Sequence, residues 1–317
     1  MPITVVKRPI YAIAGPTASG KTALGVEFAR RLGGEVVNFD SVQVYREIEI
    51  ATAKPSAEEM QGVPHHLLDY VDPRINCTAA DWARDAEGVI AEIEERGRTP
   101  ILVGGTGFYL RTLLHPLFES PKTDEMLRER LRRLHAGRGA EYLHRMLTRL
   151  DPSTAAVLAP RDHVRVIRAI EVFIQTGERL SVRKTDRPPR SAIAGRCALF
   201  VLEPGRDELY RRIDARAEAH FAAGLIEEVK RLRSAGVSDS TNALGSHGYR
   251  RVCEYLRGER TLESALEKTK QDVRNYSKRQ LTWFRRENAA LWIKGFGSDP
   301  KVVSEALKFA HLTGRNA

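Results

Sequence analysis

The sequence contains few cysteines and no long run of apolar residues. Its three cysteines, Cys77, Cys197 and Cys253, lie too far apart for a CxxC metal site, and their odd number predicts no disulfide framework. The histidines at 65 and 66 adjoin no cysteine pattern, so a zinc site is not expected. No apolar stretch approaches the roughly 20 residues of a membrane-spanning helix, and the N-terminal residues do not resemble a signal peptide. These absences predict a protein of the reducing cytoplasm that does not bind membranes.

The charge of the chain is positive and unevenly distributed. The net charge is +10 over 317 residues. Residues 1–116 contain 12 basic and 15 acidic side chains, residues 117–200 contain 17 and 10, and residues 201–317 contain 22 and 16. This asymmetry favours a polyanionic partner for the later part of the chain, because neutralising backbone phosphates releases counterions. A solvated arginine-rich surface would produce the same pattern.

A phosphate-binding loop is predicted directly after an apolar run at residues 10–14. The loop reads G-x-x-x-x-G-K-T and consists of Gly15, Pro16, Thr17, Ala18, Ser19, Gly20, Lys21 and Thr22. In a strand–loop–helix context, glycines let backbone N–H groups curl around phosphate oxygens. We expect Lys21 to lie against the phosphates and the Thr22 hydroxyl to bind Mg²⁺. The loop predicts a phosphorylated ligand, which need not be ATP.

Strand and helix patterns alternate in the first third of the chain. Apolar runs at 10–14, 35–39 and 100–103 predict strands, and residues 21–32 and 79–96 predict helices. Strands separated by helices indicate an α/β fold, a P-loop NTPase-like core with a parallel sheet and helices on both faces. Ligands of such sheets bind beyond the carboxyl ends of the strands. The loop at 15–22, Asp40 with Ser41, and the turn at 104–107 should therefore converge on one crevice.

A helical insertion is predicted after this part. Amphipathic segments at 124–134, 141–150 and 162–176 lack intervening strands, with Asp162 as a helix N-cap and Gly177 as a stop, and residues 181–196 read as a basic loop. Strand patterns resume at 197–202 and 291–293. We therefore predict a core formed by residues 1–116 and 197–317, whose C-terminal part is basic and helical, and a helical insertion domain at 117–196. A separate C-terminal domain is the alternative.

Asp40 is the strongest candidate for chemistry. A carboxylate at the end of a strand beside a phosphate loop can hold Mg²⁺, accept a proton from a nucleophile, or merely cap a turn. The strand at 101–103 ends in glycines rather than in the acid that P-loop ATPases usually carry there, which weakens an ATPase interpretation.

Two basic segments are further candidates. Arg212 and Arg216 lie four residues apart on one predicted helical face and could grip a diphosphate from the side opposite the loop, or form an exposed pair. Residues 278–286 interleave cations with aromatic side chains, which suits phosphate contact with base stacking and equally suits an amphipathic helix with core aromatics.

Seven motifs in this order resemble the tRNA dimethylallyltransferases, also called tRNA isopentenyltransferases, almost from end to end. They read GPTASGKT at 15–22, DSVQVY at 40–45, TAKP at 52–55, PHHLLD at 64–69, GGTGFYL at 104–110, RVIRAIEV at 165–172 and KRQLTW at 278–283. The motif at 245–250 keeps only its Gly-Tyr core.

The resemblance implies transfer of a dimethylallyl group from dimethylallyl diphosphate to N6 of the adenosine just 3′ of the anticodon (position 37), with Mg²⁺ as cofactor. It implies Asp40 as the general base, with Thr22, Lys21 and Arg216 acting on the diphosphate. It also implies an insertion domain that binds tRNA through the anticodon stem-loop. The implied tRNA contacts are Asp40, Ser41, Val42, Gln43, Thr106, Arg128, Val164, Arg165, Val166, Ile167, Arg168, Gly245, Ser246, His247, Gly248, Tyr249, Arg250, Lys278, Arg279, Gln280, Leu281, Thr282, Trp283, Phe284 and Arg285.

Three alternatives explain part of the sequence. A small-molecule P-loop kinase, which would bind ATP, accounts for the loop but not for the basic second half. An adenylate prenyltransferase that acts on free nucleotides does not require the insertion. A non-enzymatic RNA-binding module leaves Lys21, Thr22 and Asp40 unexplained. No heptad pattern or long exposed apolar stripe is evident, so we expect a monomer.

Overall fold

The fold is built on a six-stranded parallel sheet. The computed structural model describes residues 8–186 and 188–314. The strands are β1 (Ile10–Ala14), β2 (Gly34–Asn38), β3 (His65–His66), β4 (Thr99–Val103), β5 (Cys197–Glu203) and β6 (Leu291–Lys294), in the spatial order β3-β2-β4-β1-β5-β6. Every pairing is parallel. The predicted α/β core with a parallel sheet is confirmed.

Helices cover both faces of the sheet. Along β1, Ile10, Ala12 and Ala14 join one apolar core while Tyr11 and Ile13 join another. This alternation follows from the two-residue period of a strand and requires a layer of helices on each side. The helices of this unit are α1 (Lys21–Leu32), α2 (Ala57–Met60), α3 (Ala79–Glu95), α4 (Gly107–Leu114), α10 (Arg206–Ala222), α11 (Leu225–Ser234), α12 (His247–Leu256), α13 (Leu262–Phe284) and α14 (Pro300–Gly314).

The shortest strand, β3, was not predicted. It contains only two residues, His65 and His66, which pair with Val36 and Val37 of β2. Two residues are too few to show a hydrophobic period. His66 Nε2 lies 2.7 Å from a carboxylate oxygen of Glu35, so this histidine has a polar partner at the edge of the sheet.

The chain divides into two compact units. One contains the residues up to Leu114 and those from Ser191 onward, and the other is His115–Arg190. The predicted insertion, 117–196, differs at its end, because residues 191–196 belong to the first unit. Ser191 donates a backbone hydrogen bond to Leu114, and Ile193 is buried in the core of the sheet unit. Because the residues after 191 join the N-terminal part in one unit, they do not form the separate C-terminal domain considered as an alternative.

The second unit is helical. It contains α5 (Glu125–Arg138), α6 (Ala140–Leu150), α7 (Pro152–Val157), α8 (His163–Thr176) and α9 (Leu180–Arg183). As predicted, Asp162 is the N-cap residue of α8 and Gly177, at φ 74°, ends it. The Asp162 side chain makes no capping bond and instead forms an ion pair with Arg165.

A buried carboxylate organises this unit. Glu171 is fully buried and accepts hydrogen bonds from Arg128 Nε at 3.1 Å, Arg168 Nη1 at 2.7 Å and the backbone N–H of Asp124 at 2.8 Å. Arg168 also donates to the carbonyl of Pro121 at 2.7 Å. Two of the predicted tRNA contacts, Arg128 and Arg168, are therefore held by an internal ion pair.

No helix in the described parts of the chain is long and apolar enough to cross a membrane.

We predict that Glu171→Gln destabilises the second unit by about 3–5 kcal/mol, because two partly buried arginines lose their counterion. The measurement is the midpoint of denaturant unfolding of the full chain. Glu178→Gln is the matched control. It removes an exposed ion pair with Arg183 in the same unit and should cost about 0–1 kcal/mol. Equal midpoints for the two variants would show that Glu171 is not a structural ion pair.

Candidate active site

The loop after β1 has the backbone shape of an anion cradle. Ala18 and Gly20 have φ of 63° and 83°, and the N–H of Ser19 donates to the carbonyl of Pro16 at 3.3 Å. Left-handed residues within such a turn direct successive N–H groups toward one point. The Ser19 side chain is completely buried, and its hydroxyl has no hydrogen-bond partner within the described residues. The loop therefore offers donors to a ligand.

Lys21, the first residue of α1, lies in this loop. Its Nζ donates to the carbonyl of Pro16 at 2.8 Å. Burial lowers the pKa of Lys21 to about 8; the nearby Asp40 carboxylate opposes this shift, and Arg216 adds to it. An anion bound in the loop would restore the charged form, because a negative neighbour favours the ammonium.

Asp40 follows β2 and is held by its own turn. Its Oδ1 accepts from the N–H groups of Val42 at 2.9 Å and Gln43 at 3.4 Å. The next residue, Ser41, donates its N–H to Thr106 Oγ1 at 3.0 Å, which joins this turn to the one after β4. Oδ2 of Asp40 makes no hydrogen bond to the residues that the structure describes. Asp40 thus stabilises its own turn through Oδ1, while Oδ2 remains available to a ligand.

The three predicted turns converge on one cavity of about 740 Å³ at the carboxyl edge of the sheet. It contains the loop, the carboxylate and several cationic side chains. Its polar and charged lining includes Thr17, Ser19, Lys21, Thr22, Asn38, Asp40, Gln43, Glu49, Thr52, Lys54, Glu59, His65, Arg212, Arg216, His220, Tyr276, Gln280 and Ser298.

Two arginines of α10 face this cavity, but they differ in their partners. Arg212 donates to Glu208 at 2.9 Å, and its guanidinium lies 3.6 Å from the centre of the Phe296 ring. Arg216 has no hydrogen bond or ion pair to any described residue. Burial lowers the pKa of Arg216, an effect that Glu59 opposes and Arg212 reinforces. Of the predicted pair, Arg216 is the guanidinium available to a ligand.

Helix α13 connects two of the turns. Gln280 is buried; its Oε1 accepts from the N–H of Thr17 at 2.9 Å, and its Nε2 donates to the carbonyl of Gly105 at 2.9 Å. A Cβ on Gly105 would lie 2.2 Å from Gln280 Nε2, and one on Gly107 would lie 2.1 Å from the Trp283 ring. These glycines therefore let α13 approach the turn after β4.

The predicted tRNA contacts fall into three groups by their exposure. Buried residues in the first unit are Gly248, Tyr249, Gln280 and Phe284, and in the second unit Val166 and Ile167. Exposed ones are Gly245, Arg250, Lys278, Arg279, Thr282 and Arg285 in the first unit, and Val164 and Arg165 in the second. Intermediate ones are Ser41, Val42, Gln43, Thr106, Ser246, His247, Leu281 and Trp283 in the first unit, and Arg128 and Arg168 in the second. RNA contact by these residues stays a prediction, and the fully buried side chains serve packing.

The structure adds residues that the sequence argument did not single out for the site. Lys54 lines the cavity and forms ion pairs with Glu49 and Asp69. Tyr276 also lines it, and burial together with Asp40 raises the pKa of this phenol. His220 lies one turn after Arg216, and burial lowers its pKa to about 4. Lys54 stood in one of the quoted motifs, while nothing local marked Tyr276.

The donor set is suitable for Mg²⁺. The Thr22 hydroxyl and the Asp40 carboxylate line the same cavity, and oxygen ligands are what this ion prefers. No hydrogen bond to a described residue engages the Thr22 hydroxyl. The described residues contain no cluster of three or more His, Cys, Asp or Glu side chains that could hold a metal ion.

Fold and cavity together define a P-loop-type α/β protein with an anion cradle, a free arginine and a partly free carboxylate in one crevice. Residues 43–287 match the family model of the IPP transferases. The tRNA dimethylallyltransferase of Geobacter metallireducens is 46% identical over 310 residues, covering 96% of this chain and 98% of its own. The chain belongs to the tRNA dimethylallyltransferase family, whose members are prenyl-transferring enzymes of tRNA modification.

Solved structures agree with this assignment. The full-length tRNA isopentenylpyrophosphate transferase of Bacillus halodurans superimposes with a TM-score of 0.73 at 38% identity and covers 98% of each chain. A eukaryotic dimethylallyltransferase described as acting on tRNA has a TM-score of 0.77 at 24% identity, covering 96% of this chain and 80% of its own, which supports the fold.

We predict that binding of inorganic diphosphate is linked to the proton on Lys21. Above a pKa of about 8 the free site loses its ammonium, so the affinity should fall as the pH rises from 8 to 10. At pH 8.5 binding should take up roughly 0.8 proton more in the wild type than in Lys21→Met, the value expected for a free-site pKa of about 8 and full protonation in the complex. Calorimetry in two buffers of different ionisation heat measures this difference. Equal proton uptake in both proteins would remove Lys21 from the anion site.

Proposed function

We propose that the protein transfers the dimethylallyl group from dimethylallyl diphosphate to N6 of adenosine 37, on the 3′ side of the tRNA anticodon, and so forms N6-isopentenyladenosine. The observation that carries this proposal is the carboxylate of Asp40, fixed through one oxygen and free at the other, in the same cavity as the anion cradle. Family membership supports prenyl transfer over the kinase alternative.

Asp40 acts as the general base. The lone pair of adenine N6 is delocalised into the ring, which makes this amine a weak nucleophile. As N6 forms a bond to C1 of the dimethylallyl group, the bond from C1 to the diphosphate oxygen breaks, and its electron pair leaves with the diphosphate. Oδ2 of Asp40 accepts the proton that N6 loses. The turn that bonds Oδ1 keeps the carboxylate in place for this transfer.

The diphosphate is held by the loop and by two cations. Backbone N–H groups of the loop, such as those of Ala18 and Gly20, act with the Lys21 ammonium and the Arg216 guanidinium to stabilise the negative charge that grows as the bond to C1 breaks. Thr22 would hold Mg²⁺, which supplies further charge neutralisation at the leaving group. Burial makes the charged forms of Lys21 and Arg216 less stable in the free site. A bound anion would offset this cost, so both cations are available to the ligand.

The tRNA binds through exposed cations of both units. Lys278 and Arg279 on α13 are exposed in the first unit, and Arg165 is exposed in the second. Such side chains contact phosphates and give salt-dependent affinity. The target base must leave its stack to reach the crevice, and a single-stranded loop makes this less costly than a duplex does.

The central experiment incubates the protein with unmodified tRNA and dimethylallyl diphosphate, followed by mass spectrometry of the nucleosides. We expect N6-isopentenyladenosine in the wild type. Asp40→Asn keeps the turn but removes the proton acceptor, so single-turnover rates should fall by about 10²–10⁴-fold, with little change in tRNA affinity. Near-normal turnover in Asp40→Asn would eliminate the general-base role.

Arg216→Ala and Arg212→Ala form a matched pair. Arg216 has no hydrogen bond or ion pair to another residue in the described chain, so its loss should raise the Kd for dimethylallyl diphosphate by about tenfold or more, the scale of a charge-assisted hydrogen bond. Arg212 is held by Glu208 and Phe296, so its loss should change the affinity by less than about threefold. Equilibrium binding of the two variants decides between them. A larger effect for Arg212 would indicate that Arg212, rather than Arg216, binds the diphosphate.

A further inference from the structure

A turn near the C-terminal end of the chain packs directly on the phosphate-binding loop. The turn, residues 295–299, connects β6 to α14. The N–H of Gly297 donates to the carbonyl of Ser19 at 2.9 Å, and Ser298 lines the cavity with the loop. Residues almost 280 positions apart in the chain thus share one backbone contact.

Two glycines make this contact possible. A Cβ on Gly297 would lie 2.3 Å from the carbonyl oxygen of Gly20, and a Cβ on Gly20 would lie 3.0 Å from the nitrogen of Gly297. Both obstacles are backbone atoms, which cannot rotate away. The contact therefore determines where Gly20 lies, and with it the start of α1 and Lys21.

The turn is itself fixed on three sides. The N–H of Gly295 donates to the carbonyl of Glu203 at 3.2 Å, at the end of β5. The Phe296 ring packs on a small apolar cluster that contains Ala18 of the loop. Arg212 covers the same ring at 3.6 Å. A segment held in this way can brace the loop.

Ser298 differs from its neighbours in the turn. Ser298 is exposed and lines the cavity that contains Thr17 and Lys21, and no described residue bonds its hydroxyl. Across the turn, the buried Ser19 hydroxyl also lacks a partner in the described chain. A buried polar group without a partner is costly, and a bound ligand is one way to supply the missing hydrogen bond.

We propose that the turn at 295–299 is a working part of the diphosphate site, in which Gly297 positions the phosphate-binding loop and the Ser298 hydroxyl donates to the bound diphosphate. This inference rests on the proposed function, because it assigns two more residues to the same substrate.

The test measures the Kd for dimethylallyl diphosphate and, separately, for tRNA alone. Gly297→Ala should weaken diphosphate binding by about tenfold or more, because the new methyl group displaces Gly20. Ser298→Ala should weaken it by about two- to tenfold, the effect of one hydrogen bond, and Ser298→Thr should retain wild-type affinity because it keeps the hydroxyl. For Ser298→Ala, KM for the diphosphate should rise more than kcat falls. Affinity for tRNA should be unchanged in all three.

Two matched controls accompany these variants. Gly205→Ala also lies in a turn after a strand, but its Cβ would meet nothing within 4 Å. Ser304→Ala removes an exposed hydroxyl of α14 that does not line the cavity. Both should bind diphosphate as the wild type does.

Lys21→Ala serves as the reference for the site itself. If Lys21→Ala binds weakly while Gly297→Ala and Ser298→Ala bind normally, the turn has no role and only this inference is overturned. If Lys21→Ala also binds normally, the proposed diphosphate site fails and the inference fails with it. Should Gly297→Ala not fold, the comparison of Ser298→Ala with Ser298→Thr decides the outcome.

Discussion

The buried amide of Gln280 holds together the parts of the site that come from distant places in the chain. Its oxygen accepts from Thr17 in the phosphate-binding loop, and its nitrogen donates to Gly105 after β4. Gln280 itself is buried, and its bond to Gly105 lies in the protein interior, where an unpaired amide would be costly. Glycines at 105 and 107 are required because any Cβ there would overlap α13. The position of the loop relative to Asp40 therefore depends on the Gln280 side chain and on the lack of a Cβ at Gly105 and Gly107.

The second constraint is electrostatic. Two of the four lysine and arginine side chains that line the cavity form ion pairs within the protein: Lys54 with Glu49 and Asp69, and Arg212 with Glu208. Lys21 and Arg216 are not neutralised in this way, and burial lowers the pKa of each. Burying these two cations without a direct ion pair is costly in the ligand-free protein, although Asp40 and Glu59 offset part of that cost, and a bound anion would lower it further. This is the expected signature of a functional site rather than of a structural ion-pair network.

The parts of the fold that are marked by local sequence patterns could be predicted from the sequence. The strand at 10–14, the loop at 15–22 and the helix at 21–32 have the predicted positions, because glycines, apolar runs and caps act locally. Asp40 was found for the same reason, since the carboxyl ends of parallel strands meet at one edge. The contacts of Gln280 and Gly297 could not be predicted in this way. Their importance arises from segments that meet only in the folded chain, and β3 is too short to show any pattern.

Charge composition was the least direct guide to the surface that binds a polyanion. The basic excess after residue 116 suggested a surface for a polyanion, yet much of it is used internally: Arg128 and Arg168 share Glu171, and Arg251 is paired with Glu254 and Asp272. Two cations remain exposed on α13, Lys278 and Arg279, and each lies over an aromatic ring. They lie within one helical turn of Gln280. The exposed cations of α13 and the residue that holds the phosphate-binding loop therefore belong to one helix.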